Sequence, residues 1–158
     1  MDRLEITCEI EREFPFVNRP QGIAISFHKV GCDQCVYLRE DLEVYKGKEL
    51  PEEGITCIHQ DMSCLSAQGW SWVFPSYLRY SLKTEASYSD TATEFLIYNL
   101  GPKLEHQSET IQRLSGFRDS QISCLRDFLG WLGSQEHWGN YAGDDIDRAI
   151  KFLRTLKT

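Results

Sequence analysis

The sequence predicts a mainly α-helical protein: a single-domain helical bundle over residues 1–158, with a small two-stranded β element near the N-terminus. Three observations lead to this prediction. Apolar residues recur at intervals of three and four along most of the chain, which is the period of a helix. Two short β-branched segments lie in its N-terminal part. The length of 158 residues and the hydrophobic content of 41% are sufficient for one core.

The first element is predicted to be a helix over residues 4–14. Ile6, Ile10 and Phe14 are four residues apart, as on one face of a helix, although the apolar residues up to Ile10 also alternate as in a strand. Glu and Arg fill the intervening positions and favour the helix. Pro15 ends it.

The β element is predicted from GIAISFH (22–28) and GITCIH (54–59), which are short and rich in β-branched residues. Between them, residues 32–47 have helical spacing. A helix between two strands is the crossover that parallel pairing requires. Parallel pairing would bring together His28 and His59, which end the two segments.

Four further helices are predicted in the remainder of the chain. Pro75 suits a first-turn position, and the pair Gly101-Pro102 is a stop signal. The last helix begins at Asp144 and ends near Arg154 and Lys157, which matches the helix dipole at both ends. The predicted apolar faces are Phe74, Leu78 and Leu82; Phe95, Leu96 and Leu100; Ile122, Leu125, Leu129 and Leu132; and Ile146, Ala149, Ile150 and Leu153. Aromatic residues crowd residues 70–80, where core packing and an interface are both open interpretations.

The charge distribution indicates which partners to expect. The net charge is −7, and the first 65 residues carry 13 acidic against 7 basic side chains. Such a surface repels nucleic acid, so we expect no nucleic-acid partner. A cationic protein would be attracted to it, although an acidic surface also serves simply to keep a protein soluble.

The N-terminal residues are charged and have no apolar stretch of the kind found in signal peptides. No apolar run approaches the roughly 18 residues of a membrane-spanning helix. We therefore expect a cytoplasmic protein with no membrane partner. Its six cysteines are then expected to be thiols or metal ligands.

The cysteines and histidines of the N-terminal part form a candidate site for structural zinc. Two thiolates and two imidazoles supply the four ligands that a tetrahedral Zn²⁺ site requires. The candidate ligands are His28, Cys32, Cys35 and His59. Cys57 or Cys64 is an alternative to one of the histidines. Buried free cysteines beside a surface histidine remain the simpler interpretation.

Thiol redox chemistry is an alternative role for Cys32 and Cys35. A strand followed by Cys-x-x-Cys at the start of a helix is the arrangement of thioredoxin-like folds, where the helix N-terminus lowers the pKa of the first cysteine. Asp33 opposes this role, because it places a negative charge beside the thiolate. Nucleophile and nucleotide motifs are absent from the sequence, so we do not expect an enzyme.

Six segments are notable when taken together: GCDQC (31–35), CLSAQGW (64–70), FPSYL (74–78), EFLIYNLGP (94–102), FRDSQISCLRDFLGWL (117–132) and DDIDRAIKFL (144–153). They resemble a family of small uncharacterised bacterial proteins, and the match covers most of the chain. The resemblance implies a bacterial cytosolic protein and brings no catalytic residue with it. In that pattern a histidine often directly flanks the Cys-x-x-Cys, whereas His28 lies three residues further upstream.

The function predicted from these observations is that of a small acidic binding protein. An immunity-type protein, which neutralises a cationic toxin or effector by direct contact, fits the acidic N-terminal part and the lack of catalytic motifs. The alternative is a structural-zinc or thiol-redox protein. The oligomeric state is left open, since an aromatic-rich surface also serves self-association. The predicted partner-binding residues are Asp33, Glu40, Asp41 and Glu43.

Overall fold

A computed structural model describes residues 1–83 and 89–156 of the chain. Lys157, at which the last helix is predicted to end, lies outside the described residues. The helices are α1 Arg3–Glu13, α2 Asp33–Asp41, α3 Glu52–Ile58, α4 Ala67–Lys83, α5 Thr91–Leu100, α6 Gln107–Leu114, α7 Asp119–Ser134 and α8 Glu136–Thr155. Short 3₁₀ segments are Gly22–Ile25, Leu42–Val44, His59–Cys64 and Leu104–His106. None of the helices in the described ranges is long and apolar enough to cross a bilayer.

The helical character expected from the sequence is confirmed, but the two-stranded β element is wrong. The segment 22–28 contains the 3₁₀ turn Gly22–Ile25, and 54–59 lies mostly in α3. No strand is found in residues 1–83 and 89–156. Helix α3 follows Pro51 and has two glutamates in its first turn. These are helix-start signals, and they outweigh the β-branched residues that follow.

Helix α4 forms the centre of the protein, because it is buried on nearly all sides. Trp70, Trp72, Phe74 and Tyr77 are fully buried on it. Each polar group of the two tryptophans has a partner: the Trp70 indole N–H donates to the carbonyl of Met62 at 2.8 Å, and that of Trp72 donates to the carbonyl of Gly47 at 3.0 Å. These aromatic residues therefore belong to the core and not to an interface.

Helices α1, α3 and α6 pack against α4. Helix α1 packs against α4 and α7, and α8 packs against α5 and α7. Helix α8 begins eight residues before the predicted Asp144, and a non-helical backbone at Ala142 marks a kink within it. The four predicted apolar faces supply most of their residues to the core: Phe74, Leu78, Leu82, Leu96, Leu100, Ile122, Leu125, Leu129, Leu132, Ile146, Ala149 and Leu153 are buried.

One contact between α1 and α7 joins two acidic side chains. Glu9 of α1 shares a hydrogen bond with Asp127 of α7, and the pKa of Glu9 is raised to about 7. The largest cause is partial burial, and the next is this contact with Asp127. Below about pH 7 the Glu9 carboxyl group is therefore largely protonated and can donate a hydrogen bond to Asp127.

This contact makes stability depend on pH. The pKa of Glu9 is higher in the folded chain than its ordinary 4.5. The stabilisation that protonated Glu9 gives to the folded state is therefore fully present below about pH 4.5 and is lost as the pH rises through about 7. Glu9→Gln keeps a donor for Asp127 without the charge. We expect it to exceed the wild-type free energy of unfolding at pH 8 by about 1 kcal/mol, after allowance for solvent screening.

Urea unfolding at pH 5 and pH 8 measures this difference. The matched control is Glu11→Gln, which removes the same charge from an exposed position of α1. Equal gains from both substitutions at pH 8 would show a general charge effect and contradict the specific pair.

Candidate metal centre

An isolated antiparallel bridge between Ser26 and Leu65 brings two distant parts of the chain together. The backbone N–H of Phe27 donates to the carbonyl of Cys64 at 2.8 Å, and that of Ser66 donates to the carbonyl of Ile25 at 3.0 Å. These two bonds fix the end of the 3₁₀ segment His59–Cys64 beside residues 26–28.

The turn that follows places a histidine and two cysteines next to each other. Gly31 adopts a φ of 75°, a left-handed conformation that glycine accepts without steric cost. The chain then enters α2, with Cys32 at its N-cap position and Cys35 in its first turn. One donor atom each from His28, Cys32 and Cys35 forms a cluster in which all three lie within 4.8 Å of one another.

The three donors differ in their surroundings. Cys35 is buried, and its Sγ lies 3.7 Å from Nδ1 of the exposed His28. Cys32 is partly exposed. The pKa of the Cys32 thiol is lowered, first by the backbone N–H of Cys35 and then by the side chain of the same residue. The start of α2 thus favours a thiolate at Cys32.

Cys64 adds a third thiol next to this cluster. It is buried, its carbonyl oxygen lies 3.7 Å from Sγ of Cys35, and its own Sγ lies 3.9 Å from Oε1 of Gln34. The pKa of Cys64 is raised to about 11, chiefly by burial and next by the neighbouring Cys35. Without a metal, Cys64 is therefore a neutral thiol at physiological pH.

His59, the fourth ligand predicted from the sequence, is not part of the cluster. Its Nδ1 lies 2.6 Å from the carbonyl oxygen of Thr56 and its Nε2 lies 3.4 Å from Oγ1 of Thr91. Its ring packs edge-on against Phe95, with 5.2 Å between the centroids. The prediction depended on parallel strands, and the described part of the chain (1–83 and 89–156) contains none. Cys57, the other alternative, is exposed on α3 and also lies outside the cluster.

Arg113 of α6 contacts both chain segments next to the cluster, and the sequence did not predict this role. Its guanidinium donates to the carbonyl of Ser63 at 2.7 Å and lies 4.3 Å from the ring centroid of Phe27. Burial lowers its pKa. Arg113 thereby connects the two segments that the bridge pairs. A single arginine in an amphipathic helix gives no sequence signal for such a role.

A cleft of about 710 Å³ opens beside the centre. His28, Cys32 and Cys64 form part of its wall, and Lys103, Arg113 and Arg148 lie among its other lining residues. Two of these cations are already paired within the protein, because Arg113 lies 3.5 Å from Glu109 and Arg148 lies 2.8 Å from Asp145. The cleft therefore presents mixed charge and not a strong anion site.

The predicted partner-binding residues lie on α2 and on the turn that follows it. Asp33, Glu40, Asp41 and Glu43 are all exposed, and Glu43 forms an ion pair with Lys46. Exposed apolar side chains accompany these acids: Tyr37 is 61% exposed and Val44 is 75% exposed, and Val36 and Ile23 are also exposed. We call this combination of acidic and apolar side chains the α2 surface.

The donor set of the cluster suits zinc better than the other common metals. Thiolate and imidazole are the ligands of structural and catalytic Zn²⁺ sites, whereas Ca²⁺ and Mg²⁺ require oxygen ligands. Cu(I) and iron–sulfur clusters also use thiolates. Iron–sulfur clusters usually take four cysteines, and the cluster contains two and a histidine.

The profile of one protein family, described as a family of unknown function (DUF6714), matches residues 2–151. No curated protein and no solved structure matches the chain.

Proposed function

The chain belongs to this family of unknown function, and we propose that it is a zinc-binding protein whose ion is held by His28, Cys32 and Cys35. The convergence of an imidazole and two thiols, with donor atoms within 4.8 Å, carries the proposal. Helix α2 packs mainly against 3₁₀ segments and not against the long helices. An ion at its first turn would therefore fix a helix that has little other support.

The geometry favours zinc over the thiol-redox alternative. A dithiol acting alone does not need a histidine, yet Nδ1 of His28 lies 3.7 Å from Sγ of Cys35. The motif follows a turn at Gly31 and not a strand, so the arrangement on which the redox interpretation depended is missing. The lowered pKa of Cys32 suits a metal ligand as well as a nucleophile, because metals bind the thiolate.

Metal analysis of protein purified without a metal-affinity tag tests the proposal. About one zinc per chain is expected. A content far below one zinc per chain, in protein purified with zinc present, would reject it.

We further propose that the α2 surface binds a cationic protein partner. The support is the combination of four exposed acids with exposed apolar side chains on one short helix and its following turn. Apolar contact supplies affinity at an interface, and the acids supply steering and selectivity. We propose that the protein is a bacterial, cytoplasmic immunity-type protein, which neutralises a toxin or effector by binding it through this surface. The six free thiols suit a reducing compartment.

A pull-down against the protein encoded by a neighbouring gene is used to obtain the partner, and binding to this partner is then measured quantitatively. Charge reversal by Glu40→Lys together with Glu43→Lys is expected to slow association roughly 10-fold at low salt and to have little effect at high salt. The reason is that exposed charges act over about 10 Å at 0.1 M ionic strength. Stopped-flow or biosensor measurements at two salt concentrations give the association rate constants.

The matched control is Asp144→Lys together with Asp147→Lys, which makes the same change in net charge on two exposed positions of α8. If the two double variants slow association equally, net charge and not the α2 surface is responsible. If no partner is captured, and cells expressing the neighbouring product are not protected, the immunity form of the proposal fails.

A further inference from the structure

A zinc ion held by His28, Cys32 and Cys35 has three protein ligands. Structural zinc sites are tetrahedral and almost always have four protein ligands, whereas catalytic sites keep the fourth position for water or substrate. The identity of the fourth ligand therefore decides whether the centre is a structural clip or the metal of an active site.

Cys64 is the described side chain best placed to supply that ligand. The Ser26–Leu65 bridge fixes its backbone, since its carbonyl accepts from the N–H of Phe27 at 2.8 Å. Its carbonyl oxygen lies 3.7 Å from Sγ of Cys35, and its own Sγ lies outside the 4.8 Å cluster, so the Cys64 side chain must turn toward the three donors to bind the same ion. It also lies on the wall of the same cleft as His28 and Cys32.

The present contacts of Cys64 leave its thiol free to bind a metal. Its Sγ is 3.9 Å from Oε1 of Gln34, which is a weak interaction for a thiol donor. Binding to an ion would replace this contact with a zinc–thiolate bond. Gln34 is exposed at the start of α2, so its amide is satisfied by water when Cys64 turns away.

We propose that the thiolate of Cys64 is the fourth ligand, and that the protein holds zinc in a closed Cys₃His centre. The inference rests on the proposed zinc binding and extends it. Four protein ligands leave no position for a substrate, so the centre serves structure. The ion would join three separate parts of the chain: residues 26–28, the start of α2, and the end of the 3₁₀ segment His59–Cys64.

Cobalt substitution tests the composition of the centre. Co²⁺ in a tetrahedral thiolate site absorbs in the near ultraviolet in proportion to the number of thiolates. Cys64→Ser is expected to lose about one third of this absorption per bound cobalt, because two of three thiolates remain. It is also expected to weaken zinc binding at least about 100-fold in competition with a chromophoric chelator. Cys57→Ser, a change at an exposed cysteine outside the cluster, is the control and is expected to match the wild type.

A second measurement uses the wild-type protein alone and does not depend on the folding of a variant. Azide added to the cobalt protein binds an open coordination position and alters its visible spectrum. A closed centre is expected to leave the spectrum unchanged. A spectral change with azide would overturn the proposal and assign an open site facing the cleft, as would unchanged zinc affinity in Cys64→Ser.

These outcomes separate the two proposals. If the wild-type protein takes up neither zinc nor cobalt, zinc binding itself is wrong. If it takes up one ion and Cys64→Ser binds it equally well, zinc binding stands and the fourth ligand is wrong.

Discussion

Removal of zinc by a chelator is expected to lower the thermal midpoint of the protein by about 10 °C. Zinc present at about 1,000 times its dissociation constant stabilises the folded state by about 4 kcal/mol. In a chain of this size, 1 kcal/mol shifts the midpoint by roughly 2–4 °C. The loss is expected to begin at α2, because the buried side chains of this short helix rest mainly on 3₁₀ segments.

Differential scanning calorimetry with and without chelator measures the shift, and hydrogen exchange locates it. Cys35→Ser is the matched variant: it removes a buried ligand, so its midpoint is expected to be low and insensitive to chelator. Faster exchange is expected in α2 and not in α4, whose aromatic residues are fully buried. A wild-type midpoint that the chelator does not change would count against a structural ion.

Gly69→Ala is expected to lower the free energy of unfolding by about 2–3 kcal/mol and to weaken zinc binding. A Cβ at Gly69 would lie 2.5 Å from the carbonyl oxygen of Ile25 and 3.0 Å from a methyl carbon of Leu65. The Ile25 carbonyl cannot move away freely, because it accepts the Ser66 N–H bond of the bridge. The substitution therefore pushes apart the two segments that carry His28 and Cys64.

Gly130→Ala is the control for Gly69→Ala. Gly130 lies on α7, and a Cβ there would meet no atom within 4 Å. Alanine is expected to stabilise this helix by about 0.5–1 kcal/mol. Chemical denaturation gives both free energies, and competition with a chelator gives the zinc affinities. Similar behaviour of the two variants would show that the close approach at Gly69 is easily relieved.

The helices of the core were predictable from sequence because their signal is local. The faces through Leu78, Leu125 and Leu153 repeat every three or four residues, and these side chains are buried. In short segments the apolar residues are too few for their spacing to distinguish a helix from a strand. GITCIH is apolar and β-branched, yet the glutamates before it and Pro51 start a helix. Helix α6 was missed because most of its residues are polar.

The ligands of the candidate site likewise fall into those that are close in sequence, which could be predicted, and a distant one, which could not. His28, Cys32 and Cys35 lie within eight residues of one another, so the sequence alone places them on one turn and helix start. The fourth position depends on which distant segment lies beside that turn. The predicted strand pairing selected His59, whereas the Ser26–Leu65 bridge selects Cys64. The packing of Arg113 against Phe27 is a tertiary contact of the same kind.

The antiparallel bridge also has a consequence for folding kinetics. Joining Ser26 to Leu65 closes a loop of about 40 residues, and the entropic cost of closure precedes the contacts that it allows. The complete set of zinc ligands therefore assembles only after this loop has closed. An ion that binds after the transition state strengthens only contacts of the native state. It would consequently slow the unfolding reaction while leaving the folding rate nearly constant.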